Sequence, residues 1–333
     1  MIIIIILLII ILLIIIFYFI NILIKPTIEK FINNDNPPFP IDIVYTWKGE
    51  IKSNNIRNSY NYELKYSLRS LDAYAPWINK IYILVDPPKK YPSWIKKNNK
   101  IIMVDTSETF PSLKYLPNSN SNAIETTIVN IKGLSEHYIY LCDDIFLGRK
   151  TSYTDFFTND GKALVDDKCI INHSIVKDNN ILNIKYPPTV NRFYPHIPIP
   201  QIKSIVKEFY QEYPVFIEWI RKTYYRQDDG CNICNLYNLN CPCQQIHYPI
   251  CKYMFLKNKA ILINNSDSNN VIFIMNNKMY NNNKCLLDNI ISNKPLFYCI
   301  NDDETNPIKR KKIRKDMLIF FNSYYPNKPS FEI

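Results

Sequence analysis

Glycine is scarce in this chain. With five glycines in 333 residues, there is no Gly-rich phosphate loop and no dinucleotide fingerprint, since both need several glycines at fixed spacing to bring backbone against a pyrophosphate. Zinc-finger, helix-turn-helix and RNA-recognition signatures are absent too, although the formal net charge is +10 and the pI near 9.0. The basic run Lys309-Arg310-Lys311-Lys312-Ile313-Arg314-Lys315 therefore reads as a solvated helix face continuing into an amphipathic helix over Met317 to Tyr325, and no nucleic acid is expected as partner. The positive charge suits other anions, an acidic membrane surface or the pyrophosphate of a nucleotide-sugar.

The N-terminus is the opposite of scarce in hydrocarbon. Residues Ile2 to Ile24 are aliphatic or aromatic apart from Asn21, and at about 1.5 Å rise per residue such a run covers the roughly 30 Å core of a bilayer. No Ala-x-Ala-like cleavage site follows, and Lys25-Pro26 ends the run abruptly, so residues 1–24 are expected to be a single-pass transmembrane anchor rather than a removable signal. Residues 25–40, rich in Asn and Pro, read as a stalk. Lys25 and Lys30 follow the helix and no Lys or Arg precedes it, which by the positive-inside rule places the body in the cytosol.

From Ile41 onward the pattern alternates. Ile41 to Trp47, Lys80 to Val85, Lys100 to Val104 and Tyr138 to Cys142 read as strands, with helices over Tyr62 to Tyr74 and Asn122 to Ile131. The expected fold class is α/β: a Rossmann-like, mainly parallel sheet flanked by helices, with ligands beyond the carboxyl ends of the strands. Three polar strand ends, after Thr46, at Asp86 and at Asp143-Asp144, would then share one crevice.

The segment Tyr138-Ile139-Tyr140-Leu141-Cys142-Asp143-Asp144-Ile145-Phe146 ends a buried apolar strand in two adjacent carboxylates. Charges there are costly unless paired or holding a cation. Paired acids suit a Mg²⁺ or Mn²⁺ ion bridging a pyrophosphate, and they equally suit a turn or a helix cap.

Several spacings together resemble the Stealth proteins, a family of capsule sugar-phosphate transferases and of the animal enzyme that tags lysosomal glycoproteins. Asp42-Ile43-Val44-Tyr45-Thr46-Trp47 is similar to its first conserved region. The second is carried by Tyr62 to Leu71, by Ala75-Pro76-Trp77-Ile78-Asn79-Lys80-Ile81-Tyr82-Ile83, Pro92-Ser93-Trp94, Ala123-Ile124-Glu125 and Gly133-Leu134-Ser135-Glu136-His137. It closes with Asp143-Asp144-x-Phe146-x-Gly148-Arg149 and Asp155-Phe156-Phe157. Pro195-His196-Ile197-Pro198 and a helical Gln201 to Tyr213 resemble the third region, and Cys299-Ile300-Asn301-Asp302-Asp303 the fourth. The chain departs from the family at Lys48-Gly49-Glu50 and at Lys65, where Arg is typical.

The resemblance implies a GT-A-like sugar-phosphate transferase domain over 41–333. It would move a hexose-1-phosphate, GlcNAc-1-phosphate first, from a UDP-sugar donor to a glycan acceptor and release UMP. It also implies a lumenal body, of Golgi or ER type in a eukaryote, against the positive-inside rule. By the same resemblance Asp144, Glu125, His196 and Arg226 are catalytic, with His196 as general base and Arg226 clamping phosphate. Thr46, Trp47, Arg69, Arg221 and Asn301 would bind substrate, and Asp143, Asp144 and Asp302 would hold the divalent cation. A glycosyltransferase releasing UDP, or a degenerate domain that binds glycan or nucleotide without turnover, are the alternatives.

Cysteines cluster at Cys231, Cys234, Cys241 and Cys243, with Cys251 beyond and His247 between. Residues 231–251 read as a helical Cys-rich insertion holding a structural Zn²⁺ if the body is cytosolic, or disulfides if it is lumenal.

Overall fold

A computed structural model describes residues 36–49, 62–166, 174–178, 181–185, 197–224, 246–263, 271–275, 287–301 and 306–333. The expected anchor and most of the stalk lie outside these residues, as does the insertion up to residue 245. Among the described residues no helix is long and apolar enough to cross a membrane. All the described strands and helices belong to the unit Phe39–Ile333.

Strands β1 (Ile41–Thr46), β2 (Ile81–Val85), β3 (Ile101–Asp105) and β4 (His137–Cys142) form the parallel part of a five-stranded sheet. Their residues are nearly all buried, which is why they read as unbroken apolar runs instead of alternating ones. A later strand, β9 (Ile199–Ile202), pairs antiparallel with β4 and closes that edge, giving the order β3-β2-β1-β4-β9. Gln201 is therefore in a strand, not in the helix expected from 201 to 213; that helix begins at Lys203, whose N–H is taken by Glu136 O at 2.8 Å.

Helix α1 (Glu63–Tyr74) buries Leu64, Ser67, Leu68 and Leu71, the i, i+3, i+4, i+7 stripe of an amphipathic helix. The helix expected over 122–131 is cut short: α2 is Ser121–Glu125, followed by a 3-10 turn at Ile128–Asn130. Thr126 and Thr127 explain the break, because their hydroxyls donate to Ala123 O and Ile124 O at 2.7 Å each, a local bond that competes with helix propagation.

Beyond β4 the chain turns at Asp143-Asp144 into β5 (Ile145–Leu147). Three short strands in between, β6 (Ala163–Asp166), β7 (Ser174–Asp178) and β8 (Ile181–Lys185), precede β9. Helices α3 (Lys203–Glu212), α4 (Pro214–Lys222) and α5 (His247–Leu256) follow, then β10 (Ala260–Ile263), which pairs with β6. Ile246, Ile250 and Cys251, which the sequence places at the end of the Cys-rich insertion, are core residues on and beside α5. Strands β11 (Val271–Met275) and β12 (Phe297–Asn301) run parallel, and β12 pairs antiparallel with β5. The last helix, α6 (Pro307–Tyr324), takes in the basic run and the amphipathic stretch as one element. It packs Ile313, Met317, Phe320 and Phe321 on Tyr66, Phe146 and Tyr298 as a second core.

Candidate active site

The parallel strands change direction of succession between β1 and β4: β2 and β3 lie on one side of β1, β4 on the other. Loops at the carboxyl ends of such a strand pair diverge and leave a crevice, the usual ligand position in open α/β sheets. Thr46 and Cys142 are register partners at those ends. Trp47 directly follows the one and the Asp143-Asp144 turn the other, so the first and second conserved segments meet there.

The turn is braced on its far side. Tyr45 Oη and Ser67 Oγ are 2.7 Å apart, and Ser67 Oγ donates to Ile145 O at 2.5 Å, tying α1 to β1 and to the residue after Asp144. Ile300 N donates to Asp144 O at 3.1 Å. This backbone bond brings the end of β12, and hence Asn301, beside the two carboxylates. Asp144 is buried and Asp143 half-buried. Burial, with these carboxylates adding to it, pushes the thiols of Cys142 and Cys299 well above the ordinary cysteine value; both cysteines sit where negative charge is already concentrated.

Glu125 enters from α2. Its helix is capped by Asn120, whose side chain accepts from Asn122 N at 3.1 Å. Tyr140 donates to Glu125 Oε1 at 2.8 Å, and Tyr140 Oη is 2.9 Å from Thr46 Oγ1. Burial raises the Tyr140 phenol well above its ordinary value, and the charge of Glu125 adds to it, so it stays a neutral donor. On the other carboxylate oxygen, His247 Nε2 lies 3.0 Å from Glu125 Oε2. The His247 ring stacks on Tyr140 with centroids 4.5 Å apart, and its Nδ1 is 2.9 Å from Gln201 Nε2. Gln201 Oε1 in turn accepts from Tyr138 at 2.6 Å. Tyr138, Tyr140 and Cys142 alternate onto one face of β4, which makes this a single connected layer running under the crevice.

Arg221, expected to bind substrate, reaches the same region differently. Its Nε and Nη2 donate to Thr126 Oγ1 and O at 3.0 and 3.1 Å, so it secures the residue after Glu125. Arg221 also lines an open groove of about 630 Å³ with Tyr210, Trp219 and Glu218. Arg69, also expected to bind substrate, pairs with Glu332 and donates to Tyr325 O. His196, Arg226, Asp302 and Cys231, Cys234, Cys241 and Cys243 lie outside the described residues; of Asn301 only the backbone is described. Sequence reasoning missed Tyr140, Gln201 and His247 as members of the site. The period-2 placement of Tyr138 and Tyr140 before the acidic pair was a signal for Tyr140, and none in the sequence pointed to Gln201 or His247.

Among the described residues no three His, Cys, Asp or Glu side chains are grouped to cage a metal ion. Mg²⁺ rarely requires that: one or two carboxylates with phosphate and water complete its octahedron. The adjacent hard oxygen donors of Asp143 and Asp144 fit an ion of that kind.

Comparison with known proteins bears on the same segment. The profile of Stealth protein CR2, conserved region 2, matches residues 57–165, which contain α1, Glu125 and the Asp143-Asp144 turn. Over this region the chain is similar to the Stealth family. An exopolysaccharide phosphotransferase of Nocardia farcinica is 24% identical over 88% of this chain and 61% of its own length. One from Streptomyces coelicolor is 38% identical over 37% of the chain and 24% of its own. The capsular polysaccharide phosphotransferase LcbA of Aeromonas hydrophila is 29% identical over 63% and 67%. The chain thus spans less than two thirds of the length of the first two relatives.

Proposed function

We propose that this protein transfers a hexose-1-phosphate, GlcNAc-1-phosphate first, from a UDP-sugar to a glycan hydroxyl and releases UMP. The observation that carries the reading is the meeting of Thr46, Glu125, Asp143-Asp144 and the end of β12 at one topological switch point. The phosphotransferase names of the relatives support it. In this reaction the acceptor oxygen bonds to the sugar-linked phosphorus, the bond from that phosphorus to the bridging oxygen breaks, and UMP leaves with the electron pair. The acceptor proton passes to a base, His196 on the family resemblance, with Glu125 as a second acidic participant.

Asp143 and Asp144, with Asp302, would hold Mg²⁺ or Mn²⁺, which when bound supplies positive charge to the pyrophosphate oxygens. Thr46 and Trp47 border the donor position at the end of β1. Arg226 would clamp phosphate, while Arg221 acts through Thr126 on the setting of Glu125. The run at residues 1–24 would keep the domain at a membrane, near lipid-linked or surface glycan acceptors.

The full chain in detergent, given UDP-GlcNAc, Mg²⁺ or Mn²⁺ and simple sugar acceptors beside an Asp144→Asn variant, tests this by the nucleotide released. UMP that depends on Asp144 supports sugar-phosphate transfer. UDP would replace it with glycosyl transfer, and no turnover across several donors would leave a binding domain.

A further inference from the structure

We propose that His247 is a positioning residue for the transfer: with Gln201 and Tyr138 behind it, it holds the Glu125 carboxylate in one orientation under the crevice. The proposal rests on the transferase reading in so far as Glu125 takes part in the reaction. It adds a residue from outside the matched segment 57–165, on α5, which the sequence associates only with the cysteine cluster.

Counting hydrogens fixes the tautomer of the ring. Tyr138 is buried and has a single O–H, donated to Gln201 Oε1 at 2.6 Å. The Gln201 amide therefore turns its NH₂ to His247 Nδ1, 2.9 Å away, and Nδ1 is the acceptor. A neutral ring then carries its hydrogen on Nε2, the atom 3.0 Å from Glu125 Oε2. The opposite tautomer would set the Nε2 lone pair against the carboxylate. The line from Nε2 is not a straight N–H···O bond, so its grip on the carboxylate is electrostatic and relies on the ring being fixed. Stacking on Tyr140 fixes it.

From the other side Tyr140 spends its one hydrogen on Glu125 Oε1, so the 2.9 Å contact to Thr46 Oγ1 has Thr46 as donor. Each carboxylate oxygen thus faces a donor from a different element, β4 on one side and α5 on the other. Rotating the Glu125 carboxylate breaks both contacts at once. An orienting group that acts through another residue typically contributes about 10- to 100-fold.

The test uses the full chain in detergent with ¹⁵N-labelled histidine. The chain has four histidines, and the His247 signals are those lost in His247→Phe. The expected result is a ring protonated at Nε2 and bare at Nδ1. In turnover, His247→Phe, which keeps the stack on Tyr140, is expected to lower kcat about 10- to 100-fold with KM for the donor nearly unchanged. His247→Gln, whose amide can donate from nearly the same place as Nε2, is expected to recover most of the loss. A wild-type ring protonated at Nδ1 overturns the proposal whether or not turnover is found. So does a kcat for His247→Phe equal to wild type, or a His247→Gln no better than Phe. If the wild type turns over no donor, the transferase reading fails, and the tautomer still decides the role of His247 toward Glu125.

Discussion

Arg69 and Glu332 are 263 positions apart in the chain and meet through two parallel bonds, Nε to Oε2 and Nη2 to Oε1, each 2.7 Å. Both side chains are buried, Lys65 adds a 2.9 Å contact to Oε1, and Arg69 Nη1 donates to Tyr325 O at 2.9 Å. Removing one partner leaves a buried charge uncompensated. Glu332→Ala is expected to cost about 3–5 kcal/mol of stability, measured by urea unfolding, and to do so without shifting the donor KM of the protein that remains folded.

The same pair sets a pH dependence. Burial alone would raise the Glu332 carboxyl, but the hydrogen bonds from Arg69 and Lys65 outweigh it and hold it below the ordinary glutamate value. A depressed folded value stabilises the fold above the unfolded carboxyl's range, and that stability is lost as pH falls through the depressed one. The Tm of the wild type is therefore expected to drop on acidification through that window. The drop should be shallower in Glu332→Gln, which has no carboxyl to titrate.

Gly148 follows β5 where the Pro295 backbone crosses it. A Cβ at this position would lie 2.3 Å from Pro295 O, a backbone atom that cannot swing aside, and Tyr324 also donates to Gly148 O at 2.7 Å. Gly148→Ala is expected to destabilise by about 1–3 kcal/mol, read from the thermal midpoint. A neutral result would mean that β12 and its preceding loop yield freely.

If Asp143 and Asp144 hold the pyrophosphate-bridging ion, chelation with EDTA should abolish turnover, and Mg²⁺ or Mn²⁺ should restore it. Asp143→Asn is expected to raise the metal concentration for half-activity by about 10- to 100-fold, read from a metal titration of initial rates. Activity that survives exhaustive chelation would remove the ion from the scheme.

Arg221→Lys probes the brace on the far side of Glu125. Lysine cannot span Thr126 Oγ1 and O together as the guanidinium does. The expected cost is about 1 kcal/mol of stability, with kcat falling more than that small loss of fold would produce.

The strands and the acidic turn were legible in the sequence. Ile41 to Thr46, Ile81 to Val85 and Tyr138 to Cys142 are buried on both faces and so are written as apolar runs, and Asp143-Asp144 stands out because charge at such a strand end needs a reason. Glu125 could be placed by family spacing, nineteen residues before Asp144. The helix over 122–131 was misread because its apolar spacing is helical. What ends it is two threonine hydroxyls and a guanidinium arriving from α4.

By itself the sequence determined the local elements, the apolar core and the chemical types at the strand ends, because each depends on side chains close together along the chain. Only the tertiary structure decided what each polar group faces. It sent Arg69 to Glu332, Gln201 into an edge strand opposite Tyr138, and His247 against Glu125. These pairings join residues 63 to 263 positions apart, and a hydrogen bond depends on distance and direction in space, for which separation along a chain carries no signal.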